Sequence, residues 1–207
     1  MDSNPNFGSL SAFLKAFDKP GNIVLLEGKR KVNAWDEDKL SQLGRLLANR
    51  STFIKFRSGN ATGADELFSR GVADIDPSRL EVIKPYASHR SSVKTGATAY
   101  SMDEIDLAEE PEVVYHSRQN QRMAGLIDKF ILQIHNRLTA KAAYILRDTV
   151  KVCGTRSGIA PATVAFFYDN LSNPMQGGTG HTMQVCTERK VPFCDQQIWM
   201  NWIGEDA

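Results

Sequence analysis

A chain of 207 residues and 23.0 kDa has the length of one domain, or one domain with an insertion, and can bury a sizeable core. With 42% hydrophobic and 24% charged residues, bulk disorder is excluded. The 25 basic and 24 acidic side chains leave a net charge of +1, which excludes a strongly basic nucleic-acid coat but not a local basic patch.

Three cysteines, Cys153, Cys186 and Cys194, form no CxxC pair, against a disulfide scaffold or a Cys-rich zinc site. No apolar run approaches the roughly 18 residues of a membrane span. The opening MDSNPNFGSL lacks the basic and apolar regions of a secretory signal. The expectation is a cytoplasmic protein with no membrane partner.

In chain order, residues 1–21 read as a lead-in with a short helix, Leu10, Phe13, Leu14 and Phe17 forming its apolar stripe. Ile23–Leu26, apolar on both faces, suits a central parallel strand. Asp36 to Asn49 reads as a helix capped by Asp36, with Leu40, Leu43, Leu46 and Leu47 buried. Thr52–Phe56 is a second strand, followed by a glycine loop and a helix to about Val72. Leu80–Ile83 is a third. Residues 87–117 lose periodicity and read as a loop or lid insertion. Arg118 to Leu138 returns to helix, with Met123, Leu126, Ile127, Phe130, Ile131 and Ile134 at helical spacing. Ala142–Leu146 and Val164–Tyr168 read as strands, His181–Arg189 as a helix and Val191–Cys194 as the last strand. The tail, 195–207, places two tryptophans at the sheet edge. Strands alternating with helices predict an open, mainly parallel, Rossmann-like α/β sheet with helices on both faces over 22–194.

Two loops carry the chemistry. Arg57-Ser58-Gly59-Asn60-Ala61-Thr62-Gly63-Ala64-Asp65-Glu66 joins a strand to a helix. Glycine allows close ligand approach, and the N–H groups of a helix N-terminus favour an anion such as phosphate. A tight turn with Asp65 as helix cap explains the same residues equally well. Gln176-Gly177-Gly178-Thr179-Gly180-His181-Thr182 offers the same physics with three glycines in four residues. Both loops would lie at the C-terminal edge of the sheet, where ligands bind in this class. Arg118, Asn120 and Arg122, at a helix start, suit a phosphate or a base edge, although a solvated first turn explains them too. His89, His116, His135 and His181 form no ligand spacing, so no metal is expected. His135 reads as structural. His181, in the glycine loop, is the histidine to test.

The order of these motifs, from Glu27-Gly28 through Ser58-Gly59-x-x-x-Gly63-Ala64-Asp65, Asn120-x-x-Met123 and Gly177-Gly178-Thr179-Gly180-His181-Thr182 to Val191-Pro192, resembles the SLOG superfamily. The likeness is to its YspA/YpsA-like branch, related to the Lonely Guy phosphoribohydrolases and the DNA-processing protein DprA. The resemblance implies a nucleotide or nucleotide derivative, ADP-ribose- or NAD-like or a nucleoside phosphate. It would lie against Gly28, Arg57–Asn60, Thr62, Gly63, Asp65, Arg118, Asn120 and Gly177–Thr182. No further cofactor is implied. Thr62 stands where the family motif has arginine. Gln176 and Gln184 stand where the phosphoribohydrolase motif has proline and the catalytic glutamate. An amide cannot exchange a proton as a carboxylate does.

The expected function is therefore a nucleotide sensor or sequestering protein. A nucleotide-cleaving hydrolase using Glu27, Asp65 or Glu66 is the alternative. A DNA-binding module ranks third, since a +1 charge gives it little electrostatic support. The stripe Met123–Ile134 is a candidate homodimer face, with core as its stronger explanation.

Overall fold

The structure is a computed structural model describing residues 7–90, 96–132 and 139–204. Among the described residues six strands form one sheet: β1 (Ile23–Gly28), β2 (Lys55–Ser58), β3 (Leu80–Lys84), β4 (Thr98–Ser101), β5 (Val164–Tyr168) and β6 (Phe193–Cys194). Their spatial order is β4-β3-β2-β1-β5-β6, and every neighbouring pair is parallel. This is the open Rossmann-like sheet the alternation predicts. The chain starts at β1, winds outward to β4, then returns to the other side of β1 as β5. Connections therefore leave β1 and β5 in opposite directions, which opens a crevice beyond their C-terminal ends.

Among the described residues eight α-helices surround the sheet, α4 and α5 packing on α6: α1 (Leu10–Phe17), α2 (Glu37–Arg50), α3 (Ala64–Ala73), α4 (Pro111–Arg118), α5 (Ala124–Ile131), α6 (Ala140–Cys153), α7 (Gly177–Glu188) and α8 (Gln196–Trp199). Successive strand side chains point to opposite faces. Val24 and Leu26 of β1 join Phe13 of α1, Leu43 of α2, Phe68 of α3 and Trp199 of α8 in one core. Leu25 packs on the other face with Val152 of α6 and Met183 and Val185 of α7. Glu27 shares that second face, and this places a carboxylate beneath α6 and α7.

Several elements differ from their sequence reading. Ala142–Leu146 is not a strand but part of α6; a short apolar run fits either element, and the 14-residue length of the helix decides it. Residues 118–138 are not one helix, because α4 ends at Arg118 and α5 starts at Ala124. Ile134 and His135 lie outside the described residues. The stripe from Met123 to Ile131 packs on Ile83, Leu146 and Val150, so it is core rather than a free dimer face. Segment 87–117 contains β4, α4 and two 3-10 turns, at Met102–Glu104 and Leu107–Glu109. The second strand is shifted to Lys55–Ser58. Asp36 makes no capping bond; its carboxylate accepts from Tyr168 Oη at 2.9 Å instead. The tail tryptophans are not edge caps. Trp199 and Trp202 are fully buried; Trp202 stacks within 5.5 Å of Phe13 and Phe166, and Trp199 Nε1 donates to Phe167 O. Among the described residues no helix is long and apolar enough to cross a membrane.

Candidate functional site

The crevice is built on glycines that hold the backbone close. A Cβ on Gly28, at the end of β1, would meet Tyr168 O at 2.5 Å and Ala64 Cβ at 2.7 Å. Gly63 has φ +86, and a Cβ there would lie 2.1 Å from Arg30 O. Asp65, in the first turn of α3, ties the β1 and β2 loops together. Its Oδ1 accepts from Gly28 N–H at 3.1 Å, and its Oδ2 from Gly59 N–H at 3.2 Å and Ala61 N–H at 3.4 Å. The carboxylate thus organises two loops rather than capping its helix.

On the opposite wall α7 begins at Gly177, four residues before His181, where the sequence pattern starts it. Three glycines are poor helix formers, but this turn needs them. A Cβ on Gly180 would fall 2.0 Å from Met175 O, and Gly177 has φ +65. The cap residue Gln176 makes no side-chain bond to the helix. The first-turn N–H groups are left for an external acceptor.

Two cavities meet at this turn. One, about 340 Å³, is lined by Glu27, Gly28, Lys29, Arg30, Asp65, Tyr144, Arg147, Asp148 and Gly177–Thr179, among others. The other, about 710 Å³, is lined by residues 119–123, Met175, Gly180, His181 and Gln184. Ile145, Gly177 and Gly178 belong to both walls. A third opening, about 520 Å³ and lined by Trp202 and Ile203, lies away from these loops.

Beneath the first cavity lies a charge cluster that sequence reasoning missed. Arg147, Asp148 and Lys151 of α6 are all buried. Lys151 Nζ is 2.6 Å from Glu27 Oε2 and 2.8 Å from Asp148 Oδ1. Arg147 pairs with Asp148 at 2.6 Å and donates to Gly59 O at 3.0 Å. Burial pushes the Glu27 carboxyl up to about 8, more than the Lys151 cation pulls it down, and Asp148 and Asp65 add to the rise. Burial also opposes the charge on Asp148, but Arg147 and Lys151 outweigh it and hold that carboxyl below its usual value. With Glu27 protonated, two carboxylates, Asp65 and Asp148, balance two cations, Arg147 and Lys151. Thr182 Oγ1 sits 2.9 Å from Glu27 Oε1 and 3.1 Å from Gly178 O. A protonated Glu27 can donate to Thr182 while Thr182 donates to Gly178 O. That connects the acid to the glycine turn. The sequence signal was present: Arg147, Asp148 and Lys151 fall on one face of a helix among Ile145, Leu146 and Val150.

Of the residues singled out from sequence, the structure brings Glu27, Gly28, Asp65, Gly177, Gly178 and Thr179 to the first cavity. It brings Asn120, Gly177, Gly178, Gly180, His181 and Gln184 to the second. Arg57, Ser58, Gly59, Asn60, Thr62, Gly63, Glu66, Arg118 and Thr182 line neither. Arg57 is fully buried and bound to Glu81 at 2.8 Å and to the carbonyls of Lys151 and Ala160. Arg118 pairs with Asp128, and Glu66 with Arg90 at 3.2 Å. Thr62 is solvent-exposed. Gly59 serves indirectly, because a Cβ there would press on Arg147 Cζ and Lys151 Nζ within 3.1 Å. Among the described residues no group of three or more His, Cys, Asp or Glu is placed to hold a metal. Burial raises all three thiols, Cys153 to about 11, so none is a ready nucleophile.

No protein-family model matches the chain, and no curated protein matches it. Among solved structures, the chain is similar to DNA processing protein A from Helicobacter pylori, described for its single-stranded DNA binding mode. The identity is 13%, covering 87% of this chain and 67% of that one, with a TM-score of 0.47.

Proposed function

We propose that the crevice binds the phosphates of a nucleotide or nucleotide derivative, as a sensor or sequestering protein. One observation carries this: the uncapped glycine N-terminus of α7 faces Lys29 and Arg30 across a cavity at the switch point of a parallel sheet, where Arg147 is already paired with Asp148. Helix N–H groups and surrounding cations are what an anion needs. The resemblance of the motif order to the SLOG superfamily supports the same reading. A nucleotide-cleaving role has one observation in its favour. Glu27, a carboxyl kept protonated to about pH 8, lines the same cavity and is suited to general acid work.

The test is a thermal shift with AMP, ADP, ATP, ADP-ribose and NAD on wild type, Gly178→Glu and Arg30→Ala, with product analysis of the incubated nucleotide. Ligand at about 100 times its Kd adds roughly 2.7 kcal/mol, or about 5–10 °C for a chain of this size. The expected result is such a rise with one ligand class in wild type, abolished in Gly178→Glu and reduced in Arg30→Ala. Intact recovered nucleotide selects binding over cleavage. No rise with any ligand, alongside single-stranded DNA binding that falls steeply with salt, would replace this reading with a nucleic-acid one.

A further inference from the structure

We infer that anion binding at the start of α7 is proton-linked: filling the site fixes a proton from solvent on the Glu27 carboxyl, so that rising pH releases the ligand. This rests on the phosphate reading above and concerns the regulation of that same site.

Hydrogen bonding provides one coupling. Glu27 is 3% exposed, yet it lines the same cavity as Gly177, Gly178 and Thr179. Its Oε1 lies 2.9 Å from Thr182 Oγ1, which lies 3.1 Å from Gly178 O. A protonated Glu27 donates to Thr182, and the threonine hydrogen stays on Gly178 O. An ionised Glu27 only accepts. It draws the threonine hydrogen to itself, and Gly178 O loses that bond. The proton on Glu27 is thus felt in the turn whose N–H groups meet the anion.

Charge provides the other. From α6, Lys151 Nζ lies 2.6 Å from Glu27 Oε2 and 2.8 Å from Asp148 Oδ1, and Arg147 pairs with Asp148. From α3, Asp65 lines the cavity, as do Lys29 and Arg30 of the loop after β1. From α7 comes the Cys186 thiol, which burial keeps protonated. On β2, Arg57 is bonded to Glu81, and on β5 the residue opposite Glu27 is the apolar Phe167. The buried cations Arg147 and Lys151 therefore meet three carboxylates when Glu27 is ionised, and two, Asp65 and Asp148, when it is protonated. An incoming anion adds negative charge beside this cluster, where the effective dielectric is low. The balanced cluster accepts it; the cluster with one carboxylate in excess repels it. Burial holds the Glu27 proton to about pH 8 in the free protein, and a bound anion holds it higher still.

The test is calorimetric titration of inorganic pyrophosphate into wild type and Glu27→Gln at pH 6, 7, 8 and 9. Sulfate is also titrated into wild type at pH 8.5 in two buffers of different ionisation heat. The ionisation of pyrophosphate itself cancels in the ratio of the two proteins' affinities. That ratio is expected to hold steady from pH 6 to pH 7 and to move about 10-fold against wild type between pH 7 and pH 9. Sulfate keeps its charge over this range, so its buffer dependence counts the protons taken up by the protein, about 0.7 per anion bound at pH 8.5. This readout needs no variant and serves if Glu27→Gln does not fold. A ratio constant from pH 6 to pH 9, or sulfate binding without proton uptake, would overturn the linkage while the phosphate reading stands. Absence of binding by both anions would overturn the phosphate reading and the linkage with it.

Discussion

Glu27→Gln tests the buried cluster through its protons. In the unfolded chain Glu27 ionises near its ordinary 4.5; in the fold, burial holds the proton to about pH 8. Between those values the folded state binds one proton more than the unfolded state, so this residue makes stability fall as pH rises. Each pH unit in that window is worth about 1.4 kcal/mol, so from pH 5 to pH 7 the contribution falls by about 3 kcal/mol. Glutamine preserves the geometry. Its oxygen accepts from Lys151 Nζ, and its amide donates to Thr182 Oγ1, whose own hydrogen turns to Gly178 O. Urea denaturation of both proteins at pH 5, 6 and 7 isolates the effect, because other carboxylates cancel in the difference. Wild type minus variant stability is expected to fall by about 3 kcal/mol across that range. A difference constant within about 0.5 kcal/mol would refute the raised Glu27 pKa and mean that Lys151 holds Glu27 ionised.

Two further changes probe the frame. Lys151→Met removes the cation shared by Glu27 and Asp148; loss of one partner of a buried pair is expected to cost about 3–5 kcal/mol, and a change under about 1 kcal/mol in the urea midpoint analysis would show the cluster to be solvated. Gly63→Ala forces a side chain into φ +86 and against Arg30 O; left-handed strain alone costs about 1–3 kcal/mol, so a melting temperature equal to wild type would contradict the described loop.

The legible parts of this fold were those with a one-dimensional signal. Ile23–Leu26 and Val164–Tyr168, apolar on both faces, mark the two strands that flank the crevice. The glycine runs at 59–63 and 177–180 mark the turns beyond them. β4 gave no such signal, because an edge strand with Thr98 and Ala99 exposed has no apolar alternation to read. α6 was misread because Ala142–Leu146 is apolar at every position but Tyr144, and burial on nearly all sides suits a helix under a sheet as well as a strand within one. The first turn of α7 was missed because glycine disfavours helix, yet its close approach to Met175 allows nothing larger.

By itself, then, the sequence determined the parallel α/β plan and where the chain must turn tightly, since both follow from periodicity and from the steric freedom of glycine. Only the tertiary structure decided how charges pair. Lys151 meets Glu27 across 124 residues, and Arg57, which read as a ligand contact, is turned into the protein onto Glu81. Sequence pattern shows which face of an element is buried, but which buried charge meets which is set by the order and register of strands in the sheet. That order also brings Asn120 and Gln184, 64 positions apart, to one cavity wall.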